Sequence, residues 1–205
     1  MEHFSNIEDV LSYYNAQFRN FSFRKQLKPF DCNSELKESY NKHNLNDFLL
    51  RYGEYYNKYR FGRITIIENK TRMIGYYSLL HDSLHVPMGD DEFASEIKLL
   101  IQNEPLDFQE QFQKQIEFPA IKIGHMAVDK NCQSRGVGTC LLQAIIGQIV
   151  NNKNWYGCQY LTVDSLNNPH TNNFYHKNGF KLVSTTDTYS STRKMYLPLF
   201  DYFYV

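Results

Sequence analysis

Two glycines one residue apart, Gly136 and Gly138, stand between an apolar strand and an amphipathic helix. This junction constrains the fold more than any other part of the chain. Ahead of it, Ile121 and Ile123 alternate on one parity, and Met126 and Val128 on the other. A period-2 pattern that changes phase beside Gly124 predicts a β-bulge at Gly124-His125, which would leave backbone N–H groups able to meet a ligand carbonyl. Behind it, Leu141, Leu142, Ile145, Ile146 and Ile149 form one stripe, with Gln143 and Gln148 off it, and predict a helix. A glycine loop entering a helix brings backbone amides close to an anion at the positive end of the helix dipole. The segment is not GxGxxG, because no third glycine follows Gly138 by three residues, and not a P-loop, because no Gly-Lys-Ser/Thr follows.

A second block lies downstream. Gln159-Tyr-Leu-Thr-Val-Asp164 predicts a buried strand, and Asn168, Pro169 and Gly179 suit the N-cap, first helical position and C′ stop of a short helix carrying Phe174 and Tyr175. Upstream, Ser34 to Tyr59 reads as helix with a break, after which Asn46 would cap a second helix at Asp47-Phe48-Leu49-Leu50. Arg63–Glu68 and Met73–Leu80, joined by Asn69-Lys70-Thr71, predict an antiparallel hairpin. The segment 90–117 predicts two short helices separated by Pro105.

Composition narrows the class. With 205 residues, a 16% share of aromatic side chains and no internal repeat or Pro/Gly-rich linker, the chain reads as one domain, 1–205, with a helical acidic insertion at about 88–118. Lys plus Arg and Asp plus Glu both count 22. That balance argues against a protein dedicated to nucleic-acid phosphates or anionic lipid. The charge is nevertheless uneven. Arg51, Lys58, Arg60, Arg63, Lys70 and Arg72 face only Glu54 and Glu68 between 51 and 72, whereas eight acids face Lys98 and Lys114 between 90 and 117. Each reads first as a solvated face; the acidic stretch would otherwise border a site for a cationic substrate.

No apolar run is long enough to span a membrane, and the acidic first ten residues do not read as a signal peptide. Cys32, Cys132, Cys140 and Cys158 form no CxxC or Cys/His ligand spacing, so a reduced, cytoplasmic chain is expected. His81 and His85 lie four apart on a predicted strand without a supporting thiol or carboxylate motif, so no metal is expected there.

Met126-Ala-Val-Asp leading into Gln133-x-x-Gly136-x-Gly138, then Asn168-x-x-Thr171-x-x-Phe174-Tyr175-x-x-x-Gly179-Phe180, resembles the GNAT superfamily of acyl-CoA-dependent N-acyltransferases over about 60 residues. Phe30-Asp-Cys, Leu45-Asn-Asp-Phe-Leu49 and Thr192-Arg-Lys-Met-Tyr196 extend the likeness loosely to a bacterial subgroup with toxin-like acetyltransferases. Ser134 departs from the usual glycine and Thr171 from the usual alanine.

The resemblance implies an α/β (α+β) fold: a mixed, mainly antiparallel twisted sheet with helices on both faces. A cleft for acetyl-CoA would open between splayed parallel strands at 121–128 and 159–164. It implies that the amides of Gln133, Ser134, Arg135, Gly136, Val137, Gly138 and Thr139 hold the pyrophosphate. Met126, Ala127 and Val128 would hold the pantetheine arm and polarise the thioester carbonyl, Asn168 would touch the cofactor, and Tyr175 would protonate the leaving thiolate. The general base is expected at His125, with His81, His85, Glu96 and Glu117 as alternatives. The acceptor is read as a primary amine on a small molecule or protein, or as an aminoacyl-tRNA. A non-catalytic acyl-CoA sensor is the reading from another class. The aromatic segment Phe200–Val205 would pack internally or across a homodimer.

Overall fold

The computed structural model describes residues 3–22, 27–32, 45–86, 91–151, 157–185 and 188–203. Their elements run α1 (Ile7–Tyr14), β1 (Gln17–Asn20), α2 (Leu45–Arg51), α3 (Gly53–Lys58), β2 (Arg63–Glu68), β3 (Met73–His85), α4 (Asp91–Leu100), α5 (Leu106–Gln113), β4 (Glu117–Val128), α6 (Val137–Asn151), β5 (Tyr160–Leu166), α7 (Pro169–Lys177), β6 (Lys181–Leu182) and β7 (Thr192–Pro198). The strands follow the order β1-β2-β3-β4-β5-β7-β6, and β1–β2, β2–β3, β5–β7 and β6–β7 pair antiparallel. This is the expected mixed α/β fold with a mainly antiparallel sheet.

The chain gathers into two compact units: Met1–His81, Lys122–Tyr156 and Tyr202–Val205 in the first, Asp82–Ile121 and Gly157–Asp201 in the second.

In the first unit, Phe48 and Leu49 of α2, Ile64 and Ile66 of β2, Met73 and Tyr76 of β3, and Ala127 of β4 form one buried cluster. The α6 stripe is buried along its length, and α1 packs on α6. Glu68 is 1% exposed and is held by Arg19, whose Nε and Nη2 reach its two carboxylate oxygens at 2.8 and 3.2 Å. A buried carboxylate needs such a partner, because desolvation without one costs several kcal/mol, roughly. The hairpin appears as expected, with β3 running five residues further, to His85, and with a register shift at Ile67/Glu68. β4 is continuous through Gly124 and His125, and its alternating burial gives way to three half-buried residues at Gly124, His125 and Met126.

One local expectation is corrected here. Asn46 does not cap a helix; α2 already begins at Leu45. Its side-chain oxygen accepts from the Cys32 amide (2.8 Å), and its amide donates to Asp31 (2.9 Å). A polar partner distant in sequence outcompetes the local capping bond. The upstream part of the expected helix, 34–44, lies outside the described residues.

In the second unit, Leu84, Phe93, Ile97, Ile101, Phe118, Ala120, Tyr160 and Tyr196 form the core. Its rings meet tilted or edge to face, as Phe93–Tyr196 at 5.8 Å and Tyr160–Tyr196 at 5.8 Å do, the arrangement ring quadrupoles favour. The two acidic helices fall on either side of Pro105 as expected, and Pro105 stands at the N-cap of α5. Phe200 packs edge-on against Tyr160 at 5.3 Å, so the closing aromatic segment packs internally at least in part.

Candidate functional site

The strand, loop and helix of residues 121–151 form as the sequence requires. Ser134 (φ 61°) and Gly136 (φ 84°) both occupy the left-handed region, which turns the backbone sharply into α6. Gly136 is required twice over: its φ favours glycine, and a Cβ there would run into the Phe4 carbonyl. Ser134 takes the same region with a side chain, at a cost of about 1–2 kcal/mol. The opening amides of α6 have no carbonyl one turn earlier to bind, as at the start of any helix.

The chemistry of the loop fits an anion. Residues 130–139 contain Lys130 and Arg135 and no carboxylate. The neighbouring Asp129 is 4% exposed, and its oxygens are taken by the Asn131 amides at 3.0 Å and the Asp31 amide at 3.2 Å. Gln133 turns its side chain inward, where Nε2 donates to the Cys32 and Val128 carbonyls at 2.9 Å each. It is a tether for the loop. A diphosphate held by Gln133–Thr139 would therefore meet main-chain donors, with Lys130 already paired to Asp31 at 2.9 Å.

Sequence reasoning missed what braces this loop. The Phe4 amide donates to the Arg135 carbonyl at 2.8 Å. The Arg135 guanidinium lies over the rings of Phe4, Tyr13 and Tyr14 at 5.1, 4.8 and 5.7 Å, and Nη1 donates to the Tyr14 hydroxyl at 2.9 Å. Burial, then a bond to Cys132, pushes the Tyr14 phenol up to about 12, so it stays neutral beside the guanidinium. Three aromatic residues near the amino end carry no local signal of this role.

His125 is half-buried on β4. Its ring stacks on Phe48 at 3.5 Å and 18° and meets Tyr56 edge-on at 5.6 Å. Its Nδ1 lies 3.1 Å from the Ser78 hydroxyl. Gly124 permits this, since a Cβ there would overlap Leu80 and come within 3.0 Å of the Ser78 oxygen. When Nδ1 donates to Ser78, Nε2 is the basic nitrogen, the arrangement a general base needs. Phe48 and Tyr56 were not legible as its neighbours, because the contact joins α2–α3 to β4.

The alternative bases are engaged or exposed. Glu96 binds Lys181 at 3.2 Å and accepts from the Tyr196 hydroxyl at 3.5 Å. Glu117 and His85 are exposed and lie 3.8 Å from each other, and His81 is exposed. All four cysteines are free thiols.

Asn168 and Tyr175 lie in the second unit. Asn168 caps α7, accepting from the Thr171 amide at 2.8 Å, with Pro169 at the first position and Gly179 at φ 88° beyond the end. Its side-chain oxygen therefore has a structural duty besides any ligand contact. Tyr175 is 6% exposed, with its ring edge-on to Phe174 at 5.1 Å and to Phe180 at 5.2 Å. Burial raises its phenol well above the usual tyrosine range, so it remains a proton donor at neutral pH.

Comparison with known proteins bears on the family and the fold. Residues 100–182 match the family model described as an acetyltransferase (GNAT) domain. No curated protein matches the sequence. Among solved structures, a Tyr-to-Phe mutant of the AtaT toxin bound to the C-terminus of the antitoxin AtaR and acetyl-CoA has a TM-score of 0.62 at 17% identity, covering 90% of this chain and 93% of that one. A Tyr-to-Phe mutant of KacT has a TM-score of 0.63 at 19% identity over 90% and 95% of the two chains. AtaT complexed with acetyl-methionyl-tRNAfMet has 0.63 at 18% over 89% and 94%. Among the described residues no helix is long and apolar enough to cross a membrane. Residues 100–182 thus match a GNAT acetyltransferase domain, and the chain carries the fold of the AtaT and KacT structures.

Proposed function

We infer that residues 1–205 work as one acetyl-CoA-dependent N-acetyltransferase domain, in which a primary amine attacks the thioester directly. The observation that carries this is the loop at 133–139: two left-handed residues and a helix start, without a carboxylate, in a segment matching the GNAT model.

Bound acetyl-CoA supplies an activated acyl group and a thiolate leaving group. The amides of Gln133, Ser134, Arg135, Gly136, Val137, Gly138 and Thr139 bind its diphosphate. The backbone of Met126, Ala127 and Val128 orients the pantetheine arm and stabilises charge developing on the thioester oxygen, as fixed donors do without reorganising. Asn168 contacts the cofactor near the thioester. His125 takes a proton from the acceptor ammonium through Nε2, freeing the lone pair of the amine that attacks, and the second N–H proton of the adduct replaces the one Tyr175 gives up. Tyr175, kept protonated by burial, gives its proton to the departing sulfur. Holding amine and thioester together supplies much of the remaining acceleration.

The test is a melting shift with acetyl-CoA followed by thiol release against pooled polyamines, amino acids, peptides and charged tRNA. A native-state site held at a hundred times its dissociation constant adds about 2.7 kcal/mol. Absence of any shift removes the reading. A shift without thiol release across the pool leaves only the sensor.

A second reading of the acceptor has its own support. The fold follows that of AtaT over nearly the whole chain, and AtaT was solved with an acetylated aminoacyl-tRNA. On that likeness the acceptor is the α-amine of an aminoacyl-tRNA, and a protein antitoxin is a partner to test.

A further inference from the structure

We propose that the cavity beside the carboxyl-terminal half of α6 binds a neutral, amino-bearing nucleobase, free or as its nucleoside. The site lies apart from the loop at 133–139, and it stands or falls independently of the acetyltransferase reading.

The cavity measures about 590 Å³, within the range of small-molecule sites. Its floor is a row of register partners across the sheet: Asn20 on β1 pairs with Thr65 on β2, which pairs with Tyr77 on β3. Thr65 and Tyr77 are buried, and the Tyr77 hydroxyl donates to Gln148 Oε1 on α6 at 2.8 Å. Arg63 occupies the Asn20 side-chain oxygen at 3.0 and 3.2 Å, which leaves the Asn20 amide nitrogen for a ligand. The polar floor is therefore set before anything binds, and binding need not spend free energy on ordering it.

Helix α6 supplies another wall. Gln143, Gly147 and Asn151 recur every four residues and all line the cavity. This spacing sets a carboxamide about 6 Å along the helix axis on either side of a glycine. Glycine is the poorest helix former apart from proline, and a Cβ at Gly147 would meet nothing within 4 Å. Among the described residues no packing neighbour demands its small size; its effect is a bare stretch of backbone open to the cavity. The Phe18 ring of β1, 38% exposed, lines the same space from the sheet side. Bare helix backbone and an aromatic face admit a flat molecule, and a base can stack on the ring. Each carboxamide presents a donor and an acceptor in one plane, the pair that reads an amino group beside a ring nitrogen.

Charge selects against phosphate. Among the described residues Glu8 lines the cavity and no lysine or arginine does, and the negative end of the α6 dipole falls at Asn151. Such surroundings favour N–H groups over anions. Val137, where the glycine loop enters α6, is about 15 Å from Gly147 along the axis. A coenzyme diphosphate and the base would therefore occupy opposite ends of one helix.

Calorimetric titration of the full chain with adenosine, guanosine and cytidine, with and without saturating coenzyme A, tests the site. At least one nucleoside should bind with one-to-one stoichiometry, and coenzyme A should not displace it. Its monophosphate should bind no tighter, and Glu8→Gln should improve the monophosphate relative to the nucleoside. Gly147→Leu should abolish nucleoside binding yet melt at or above the wild-type temperature, because leucine enters open space and favours the helix. Phe18→Ala should weaken binding about tenfold, while Phe18→Tyr should retain it. No binding by any of the three nucleosides, displacement by coenzyme A, full binding by Gly147→Leu, or binding of ribose in their place overturns the proposal.

Discussion

On the proposed function, the loop at 133–139 and helix α7 would contribute to the reaction through opposite means. The loop would act through its main chain, and its side chains mostly face elsewhere: Gln133 ties down Cys32 and Val128, and Arg135 lies among aromatic rings. Helix α7 would contribute a side chain, the buried Tyr175 phenol, on a scaffold fixed by Asn168 and Gly179. A backbone site tolerates changes of side chain but not of conformation. A side-chain site has the reverse sensitivity.

Gly136→Ala puts the sharpest strain on the contrast. Both its φ and the Phe4 carbonyl oppose a side chain, so acetyl-CoA should cause no melting shift at a hundred times the wild-type dissociation constant. Normal binding by this variant would mean that the loop's shape does not grip the diphosphate. Tyr175→Phe is the matching change on α7. Turnover should fall about 10²–10³-fold with cofactor affinity kept, as loss of a proton donor does; single-turnover kinetics with calorimetric binding would show whether the two separate.

The same phenol makes a claim about pH. Its pKa is raised by burial, so the folded chain keeps a proton that the unfolded chain loses above about pH 10. Stability from this group is present below that value and is lost as pH rises beyond it. Alkaline melts of wild type and Tyr175→Phe should diverge there, the wild type losing stability faster.

Gln133→Ala should cost about 1–3 kcal/mol by leaving two carbonyls without their donor, read as a lower melting temperature. Its effect on affinity should follow from loosening of the loop. Ser134→Gly is the smallest change: it relieves a left-handed side chain, so the melting temperature should rise slightly with cofactor affinity unchanged. A large loss of affinity in that variant would show the serine hydroxyl binding ligand directly.

These two regions were also the most legible ones. Asn168, Pro169 and Gly179 are local signals, and each sits where helix-end chemistry puts it. The α6 stripe follows from periodicity alone. What escaped was decided by contacts distant in sequence. Asn46 has a capping residue's chemistry but spends it on Asp31 and Cys32. The Phe48 and Tyr56 rings around His125, and the Tyr13–Tyr14 cradle of Arg135, join elements with no shared local pattern.

The Arg135 cradle has a consequence for how the protein matures. Tyr14 and Arg135 are 121 residues apart, so their hydrogen bond closes a very large stretch of chain. Contacts of such span form late, after the entropy of closure has been met. Coenzyme affinity should therefore be among the last properties to return during refolding, trailing the helical signal of α6.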